Sequence, residues 1–309
     1  MRKILPSMHF LENFMPVMAN EKFAVELLQQ ASKIGFYQGV ELGFIEDKAC
    51  QMAIRNIVEK RGWQLTQWCS PKIADKGLSL SSLDAEERRK AVDYAVELVA
   101  GSAETGALRI GLQSGPDPGD ALRDEAKKAL TESCLEISRA AEQYKGLYLL
   151  IEPLDRYVHK KQLLGPIKET VEWFADLKQQ CSNFYIHWDS AHEVLGGADL
   201  KESIRLAAPY LAQFHLCNCV NIPGHPYYGD HHMDVGTAPG YNTWGYLTPE
   251  VGAGVLQEAA GFAPCDGIEN TYCALEVRAH LADDLWAKER LIRAFLQQTF
   301  ALAGIAYTE

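Results

Sequence analysis

Four apolar runs of this chain each end on a residue that could bind a divalent cation. The four residues are Glu152, Asp189, His215 and Glu276. Runs of about five or six apolar residues are typical of strands buried on both faces of a parallel sheet, where an ionised side chain is costly. We therefore expect each of these residues to lie at the mouth of a strand. If the strands close into a parallel barrel, all four mouths share one face and the side chains can converge.

Two glutamates, one aspartate and one histidine form an oxygen-rich ligand set with a single nitrogen donor. This set favours Mn²⁺, with Mg²⁺, Co²⁺ or Zn²⁺ as alternatives, over a soft copper or iron–sulfur site. A bound cation would polarise a substrate carbonyl and fix two adjacent oxygens. Glu152 and Glu276 are three strand units apart along the chain, so they could stand on different sides of a sugar. We predict that one of them removes a proton from carbon and the other returns it.

The elements that must position these residues alternate between strand and helix along the chain. Strands are expected near 3–9, 38–42, 63–68 and 107–112, and four more end at the predicted ligands. Helices are expected over 21–34, 47–61, about 82–105, 119–144, 167–180, 199–208, 249–262 and 281–302. This alternation predicts an α/β fold, a (β/α)₈ TIM barrel forming one domain over 1–309, with a long loop at about 217–247 over the site. A doubly wound sheet is the alternative, but the first strand lacks the glycine-rich turn that usually follows it.

Composition and charge favour some partners over others. The chain has 309 residues, is 47% hydrophobic and carries a formal net charge of −11. A negative charge repels nucleic acid and anionic membranes, so we expect neither as a partner and favour a small carbohydrate substrate. The first residues lack the apolar core of a signal peptide, and the eight dispersed cysteines indicate a reducing compartment. We expect a cytoplasmic protein and leave open a homo-oligomer or a second subunit.

Four short motifs resemble the xylose-isomerase-like TIM barrels of the sugar phosphate isomerase/epimerase superfamily, which includes ketose 3-epimerases. The motifs are IEPLDR at 151–156, WDSAH at 188–192, FHL at 214–216 and ALEVR at 274–278. The resemblance implies that the four strand-end residues bind the metal and that the two glutamates exchange a proton through a cis-enediolate. It also implies that His192 contacts substrate.

Two positions differ from the ketose 3-epimerase pattern. Val158 stands where those enzymes tend to carry a sugar-contacting glutamate, and Asn221 stands where they tend to carry an arginine. Instead, His159 and Lys160 and the segment 229–236 (GDHHMDVG) resemble the metal-binding subunits of C-glycoside deglycosidases, in which a 3-keto sugar is deprotonated and an aglycone is expelled.

These observations predict a metal-dependent isomerase or epimerase of a sugar or sugar-derived keto compound, acting by proton abstraction next to a metal-bound carbonyl. A C-glycoside deglycosidase-like lyase subunit acting on a 3-keto glycoside is the alternative. An endonuclease IV-like metal-dependent phosphodiesterase ranks third, because the net charge is negative and the further strand-end histidines of a trinuclear zinc site are missing.

Other ionisable residues near the predicted strand ends are candidates for contacts with substrate. They are His192, His159, Lys160, Glu41, His232 and Asp234. Asp230 and His231 belong to the same segment, which could also be a solvated loop. His9 shares the mouth geometry at the end of the first strand. His187 precedes Asp189 by two residues on the same strand face, so we interpret it as an inner-layer residue or one that supports a ligand.

Overall fold

Eight parallel strands close into a barrel in the computed structural model, which describes residues 2–235 and 245–307. The strands of these residues are β1 (Lys3–Met8), β2 (Gly39–Gly43), β3 (Gln64–Trp68), β4 (Arg109–Gln113), β5 (Tyr148–Glu152), β6 (Phe184–Asp189), β7 (Leu211–Val220), β8 (Gly229–Met233) and β9 (Asn270–Glu276). The barrel runs from β1 to β7 in order and closes through β9, which pairs with both β7 and β1. The predicted TIM barrel is confirmed.

Helices surround the barrel and connect consecutive strands. They are α1 (Phe10–Asn13), α2 (Glu21–Ala31), α3 (Lys48–Arg61), α4 (Ser70–Asp75), α5 (Ala85–Thr105), α6 (Arg123–Ala141), α7 (Ile167–Gln180), α8 (Ser190–Leu195), α9 (Leu200–Ala207), α10 (Pro249–Gly261) and α11 (Leu285–Ala303). Aspartate side chains accept backbone N–H groups at the starts of several, as Asp84 does for α5 and Asp284 for α11. Within the described ranges, none of these helices has the length and apolar character needed to cross a membrane.

The chain after His215 differs from the prediction. The seventh strand does not end at His215 but continues to Val220, because residues 216–220 are all buried and extend the same strand pattern. β8 then pairs with β7 in the antiparallel direction, with Asn218 opposite Met233. Much of the loop predicted at about 217–247 is therefore a hairpin, and its part at 236–244 lies outside the described residues.

Polar side chains fill part of the barrel interior below the strand ends. The hydroxyl of Thr66 donates to Oε1 of Gln213 at 2.8 Å, and Nε2 of Gln213 donates to Oε2 of Glu41 at 2.8 Å. Nη1 of Arg109 donates to the carbonyl oxygen of Ala212 at 2.8 Å. Because β2 and β7 are not neighbours in the sheet, these contacts cross the interior. Branched apolar residues usually dominate the interior of such barrels, so these hydrogen-bonded polar side chains form an unusual layer beneath the strand ends.

A substitution at Gly111 tests how tightly the barrel is packed around Trp68. Gly111 pairs with Trp68 across β4 and β3, and a Cβ at this position would lie 2.1 Å from the indole ring. We expect Gly111→Ala to lower the free energy of unfolding by about 1–3 kcal/mol, measured by urea denaturation. The matched control is Gly35→Ala, where a Cβ would meet nothing within 4 Å. Equal effects of the two substitutions would contradict the tight packing.

Candidate metal and substrate site

Strand register brings the four predicted metal ligands to one end of the barrel. Asp189 on β6 is paired with His215 on β7, while Glu276 on β9 lies two residues further along the same face. Nδ1 of His215 is 3.1 Å from Oε2 of Glu276 and 4.0 Å from Oδ2 of Asp189. A carboxylate oxygen of Glu152 and one ring nitrogen each of His187 and His215 lie within 4.8 Å of one another. The four side chains therefore form overlapping groups around His215.

The chemistry of this cluster fits a divalent cation. Oδ1 of Asp189 accepts the backbone N–H groups of Ala191 and His192 at 2.7 and 3.2 Å, which caps α8. Oδ2 of the same carboxylate is buried and has no hydrogen-bond partner among the described residues. A buried oxygen without a partner is unfavourable, and a cation would supply the missing interaction. Three carboxylates and one imidazole match the donor preferences of Mn²⁺ and similar ions.

Burial and repulsion separate the proton affinities of the carboxyl groups. Burial raises the pKa of Glu152 to about 7 and that of Asp189 to about 6, and repulsion from Glu276 adds to both shifts. The pKa of Glu276 is well below its ordinary range, because attraction to neighbouring histidines, first among them His232, outweighs the effect of burial. The pKa values of Glu152 and Glu276, the two proposed acid/base groups, therefore differ, as those of a paired acid and base do in other enzymes.

The β7–β8 hairpin brings a second group of ionisable side chains to the mouth. Nε2 of His232 is 2.9 Å from Oδ2 of Asp230, while its Nδ1 is 3.2 Å from Oε2 of Glu12 and 3.4 Å from Oε1 of Glu276. Nζ of Lys160 lies 3.0 Å from Oδ2 of Asp230. His232 and Lys160, both predicted to bind substrate, thus lie beside the ligand cluster and are held there by Asp230.

The two histidines predicted to contact substrate after β5 and β6 differ in burial. His192 is buried with Nδ1 3.5 Å from Oδ2 of Asp155. Burial lowers its pKa, but the charges of Asp230 and other acids outweigh this and raise the pKa to about 9. His159 is exposed at the rim, where its ring lies 4.8 Å from that of His231. His192 is therefore inside the site, and His159 is at its edge.

Two residues predicted to bind substrate have other partners in the structure. Glu41 is fully buried beneath His215, with Oε2 2.8 Å from Nε2 of the imidazole, so it faces the barrel interior and not the mouth. Oδ1 of Asp234 is 2.7 Å from Nζ of Lys288 on α11. Both residues stay predicted substrate contacts, and neither the burial of Glu41 nor the ion pair of Asp234 supports that role.

His9 and His187 pack on either side of His215. The ring of His187 lies 4.1 Å from that of His215 in an edge-on arrangement, and its Nε2 is 3.8 Å from Oε1 of Glu152. Nδ1 of His9 accepts the backbone N–H of Glu12 at 3.2 Å, and its Nε2 lies 3.7 Å from Oε1 of Glu276. Both histidines are buried in contact with predicted ligands, and His187 occupies the inner layer that the strand alternation predicts.

Glu12, Arg278 and Cys217 also lie in the site, although no sequence pattern assigns them a role there. Nε and Nη2 of Arg278 donate to Glu12 at 2.6 and 2.9 Å, which ties α1 to the end of β9. Cys217 shares the inward face of β7 with His215 and lies within 4.8 Å of the ligand atoms of Asp189 and Glu276. The two-residue spacing from His215 could have identified Cys217, whereas nothing in the sequence near Glu12 indicates its position.

The comparison with known proteins agrees with this architecture. The model of the xylose isomerase-like TIM barrel family matches residues 28–253, so the chain belongs to that family. No curated protein matches the chain.

Several solved structures share the fold. An L-ribulose 3-epimerase is 15% identical, covers 98% of this chain and 96% of its own length, and has a TM-score of 0.70. A 3-keto-D-glucoside 4-epimerase from E. coli is 14% identical with coverage of 97% and 100% and a TM-score of 0.62. An AP endonuclease, family 2, from Brucella melitensis is 17% identical with coverage of 96% and 99% and a TM-score of 0.62. At such identities the likeness shows a common fold.

Cation binding should weaken as the pH falls. Glu152 and Asp189, with pKa values of about 7 and about 6, must lose protons before their carboxylates can bind a cation. We expect the apparent Kd for Mn²⁺, measured by isothermal titration calorimetry, to be at least about tenfold weaker at about pH 5.5 than at about pH 7.5. Glu193→Gln is the control and should keep the pH dependence of the wild type. Burial also raises the pKa of Glu193 to about 7, but its carboxylate accepts a hydrogen bond from Ser203 and is not a predicted ligand. An affinity independent of pH would contradict the assignment.

The raised pKa values of Glu152 and Asp189 also determine how the free energy of unfolding changes with pH. These carboxyls bind protons more tightly in the folded state, so their contribution to the free energy of unfolding is present at low pH and is lost as the pH rises toward about 7. Mn²⁺ should therefore raise the melting temperature more at about pH 7.5 than at about pH 5.5.

Proposed function

We propose that this protein is a divalent-metal-dependent isomerase or epimerase of a sugar or sugar-derived keto compound. The observation that carries the proposal is the placement of Glu152 and Glu276, which flank the Asp189–His215 pair from β5 and β9 at one end of the barrel. Membership of the xylose isomerase-like family and a fold shared with two sugar epimerases support it.

The four strand-end residues would hold the cation, with Mn²⁺ favoured. The bound ion would supply Lewis-acid polarisation of the substrate carbonyl, which acidifies the neighbouring C–H bond. One of the two glutamates, Glu152 or Glu276, would take that proton as general base. The other would return a proton to the opposite face of the carbon, because β5 and β9 lie on different sides of the Asp189–His215 pair. In the reverse reaction the two glutamates exchange roles.

Lys160 and His192 are the proposed contacts for substrate oxygens. Nζ of Lys160 is oriented by Asp230 and its side chain remains 31% exposed, so it can donate hydrogen bonds to a ligand in the mouth. His192 is held by Asp155 beside the same cluster. Both groups donate to hydroxyl or carbonyl oxygens, as a small carbohydrate requires.

A lyase acting on a 3-keto glycoside is the second candidate. Val158, in the position of a sugar-contacting glutamate of ketose 3-epimerases, packs against the apolar cluster that contains Ala191 and Leu195. Nδ2 of Asn221, in the position of their arginine, donates to the carbonyl oxygen of Val194 at 2.9 Å. These contacts favour a substrate other than a simple ketose. Elimination needs the same first proton transfer and then expels a leaving group, and a second subunit could complete such a site.

Solvent exchange tests the proposed proton transfer directly. We expect the Mn²⁺-loaded protein to exchange a substrate C–H for deuterium from D₂O within a panel of ketoses and 3-keto glycosides, and EDTA to abolish the exchange. Glu152→Gln should slow it by about 10²–10⁴-fold, after Mn²⁺ occupancy has been matched, because the amide cannot transfer the proton. Glu193→Gln should keep the wild-type rate. Exchange at the wild-type rate in Glu152→Gln would contradict the role of Glu152, and release of an aglycone would identify the lyase reaction.

Metal stoichiometry separates the isomerase from an endonuclease-like phosphodiesterase. Nζ of Lys160 lies 3.0 Å from Oδ2 of Asp230, and Nη2 of Arg278 lies 3.1 Å from Nδ1 of His232. These two positive charges would repel further cations there. We expect one metal per chain by inductively coupled plasma mass spectrometry after equilibration with Zn²⁺ or Mn²⁺. Three tightly bound metals per chain would instead support phosphodiester cleavage.

A further inference from the structure

We propose that Glu41 is a positioning residue that fixes the orientation of His215 for metal binding, an inference that rests on the metal site of the proposed function. Glu41 lies on β2, across the barrel from His215 on β7, and the two strands are not neighbours in the sheet. Its Oε2 lies 2.8 Å from Nε2 of His215, on the side of the ring away from the other ligands. The contact therefore spans the interior beneath the proposed cation.

The carboxylate of Glu41 is itself held in place by two further donors. Oε2 accepts Nε1–H of Trp68 at 3.0 Å and Nε2–H of Gln213 at 2.8 Å. The amide of Gln213 has its donor end toward Glu41 because its Oε1 accepts the hydroxyl of Thr66 at 2.8 Å. Glu41 is fully buried, so water does not compete for these bonds. A charged acceptor with three donors on one oxygen has little freedom to turn.

This arrangement decides which nitrogen of His215 can face a cation. With Nε2–H donated to Glu41, the lone pair belongs to Nδ1, which points toward Asp189 and Glu276. The rings of His187 and His9 lie 4.1 and 4.6 Å from that of His215 and oppose its rotation. Histidines that bind metals commonly donate their second N–H to a carboxylate, which fixes the tautomer and strengthens the metal bond.

A purely structural role for Glu41 makes a different prediction. Removing a buried carboxylate with three donors should lower stability whichever role it has. A positioning role adds a loss of cation affinity, because an amide at the same place accepts a weaker bond from His215 and no longer enforces one tautomer. Metal affinity therefore distinguishes the two roles, and no measurement of turnover is needed.

The test is Mn²⁺ titration of the full-length Glu41→Gln variant, with folding checked by circular dichroism. We expect the apparent Kd to rise by about 10–100-fold relative to the wild type. Glu289→Gln is the matched control, because Glu289 is also a buried carboxylate, accepts Tyr37 Oη–H at 3.1 Å and lies on α11 outside the barrel. This control should lose stability but keep wild-type affinity.

A second measurement uses the wild-type protein and does not depend on the folding of a variant. In the Zn²⁺-loaded, ¹⁵N-labelled chain, we expect the nitrogen shifts of His215 to show a protonated Nε2 and a metal-bound Nδ1. Unchanged Mn²⁺ affinity in folded Glu41→Gln, or metal bound through Nε2, overturns the role of Glu41. Failure of the wild type to bind Mn²⁺ or Zn²⁺ would instead contradict the proposed function itself.

Discussion

Several buried carboxylates surround the imidazole of His215 at the mouth of this barrel, and the rest of the site follows from that electrostatic constraint. Glu41 contacts one nitrogen of His215, and Glu276 contacts the other, with Asp189 4.0 Å from the same atom. Glu152 approaches from β5. Buried charges of like sign are strongly unfavourable unless protons or cations compensate them. Burial, with repulsion from Glu276 added, raises the pKa values of Glu152 and Asp189, and a divalent cation would favour their ionised forms.

Positively charged and hydrogen-bonding side chains around the site compensate part of its negative charge. Arg278 neutralises Glu12, and Lys160 neutralises Asp230, so the hairpin of β7 and β8 is fixed to the mouth. Below the mouth, Trp68 and Gln213 hold Glu41. These contacts come from strands far apart in sequence, which is why a closed barrel is needed to assemble them. Oδ2 of Asp189, among the predicted ligand atoms, is buried without a hydrogen-bond partner among the described residues.

The fold was predictable because its signals are local and repeat along the chain. Strands ending at Glu152, Asp189 and Glu276 follow apolar runs, and the caps of the helices are visible as single residues such as Asp84. A seventh strand that ends at His215 is too short, because the buried run continues to Val220.

The convergence of the four predicted ligands was also predictable, since all parallel strands present their ends on one face. The contacts of Glu41 and Glu12 were not, because both depend on which side of the barrel each side chain crosses. Position at a strand mouth predicts that Glu41 touches substrate, whereas its Oε2 contacts His215, Trp68 and Gln213. The motif around Asp234 predicts a contact with substrate, and the ion pair of Asp234 with Lys288 of α11 is not visible in it. Such long-range pairings leave no mark in the sequence near either residue.

The proposed activity depends on one cation held jointly by three carboxylates and Nδ1 of His215. Anomalous diffraction from crystals of the full chain grown with Mn²⁺ measures this directly. The predicted result is a single strong peak within about 2.0–2.6 Å of Glu152, Asp189, Glu276 and His215. A map with no peak among these side chains, or with peaks only elsewhere on the molecule, would contradict it.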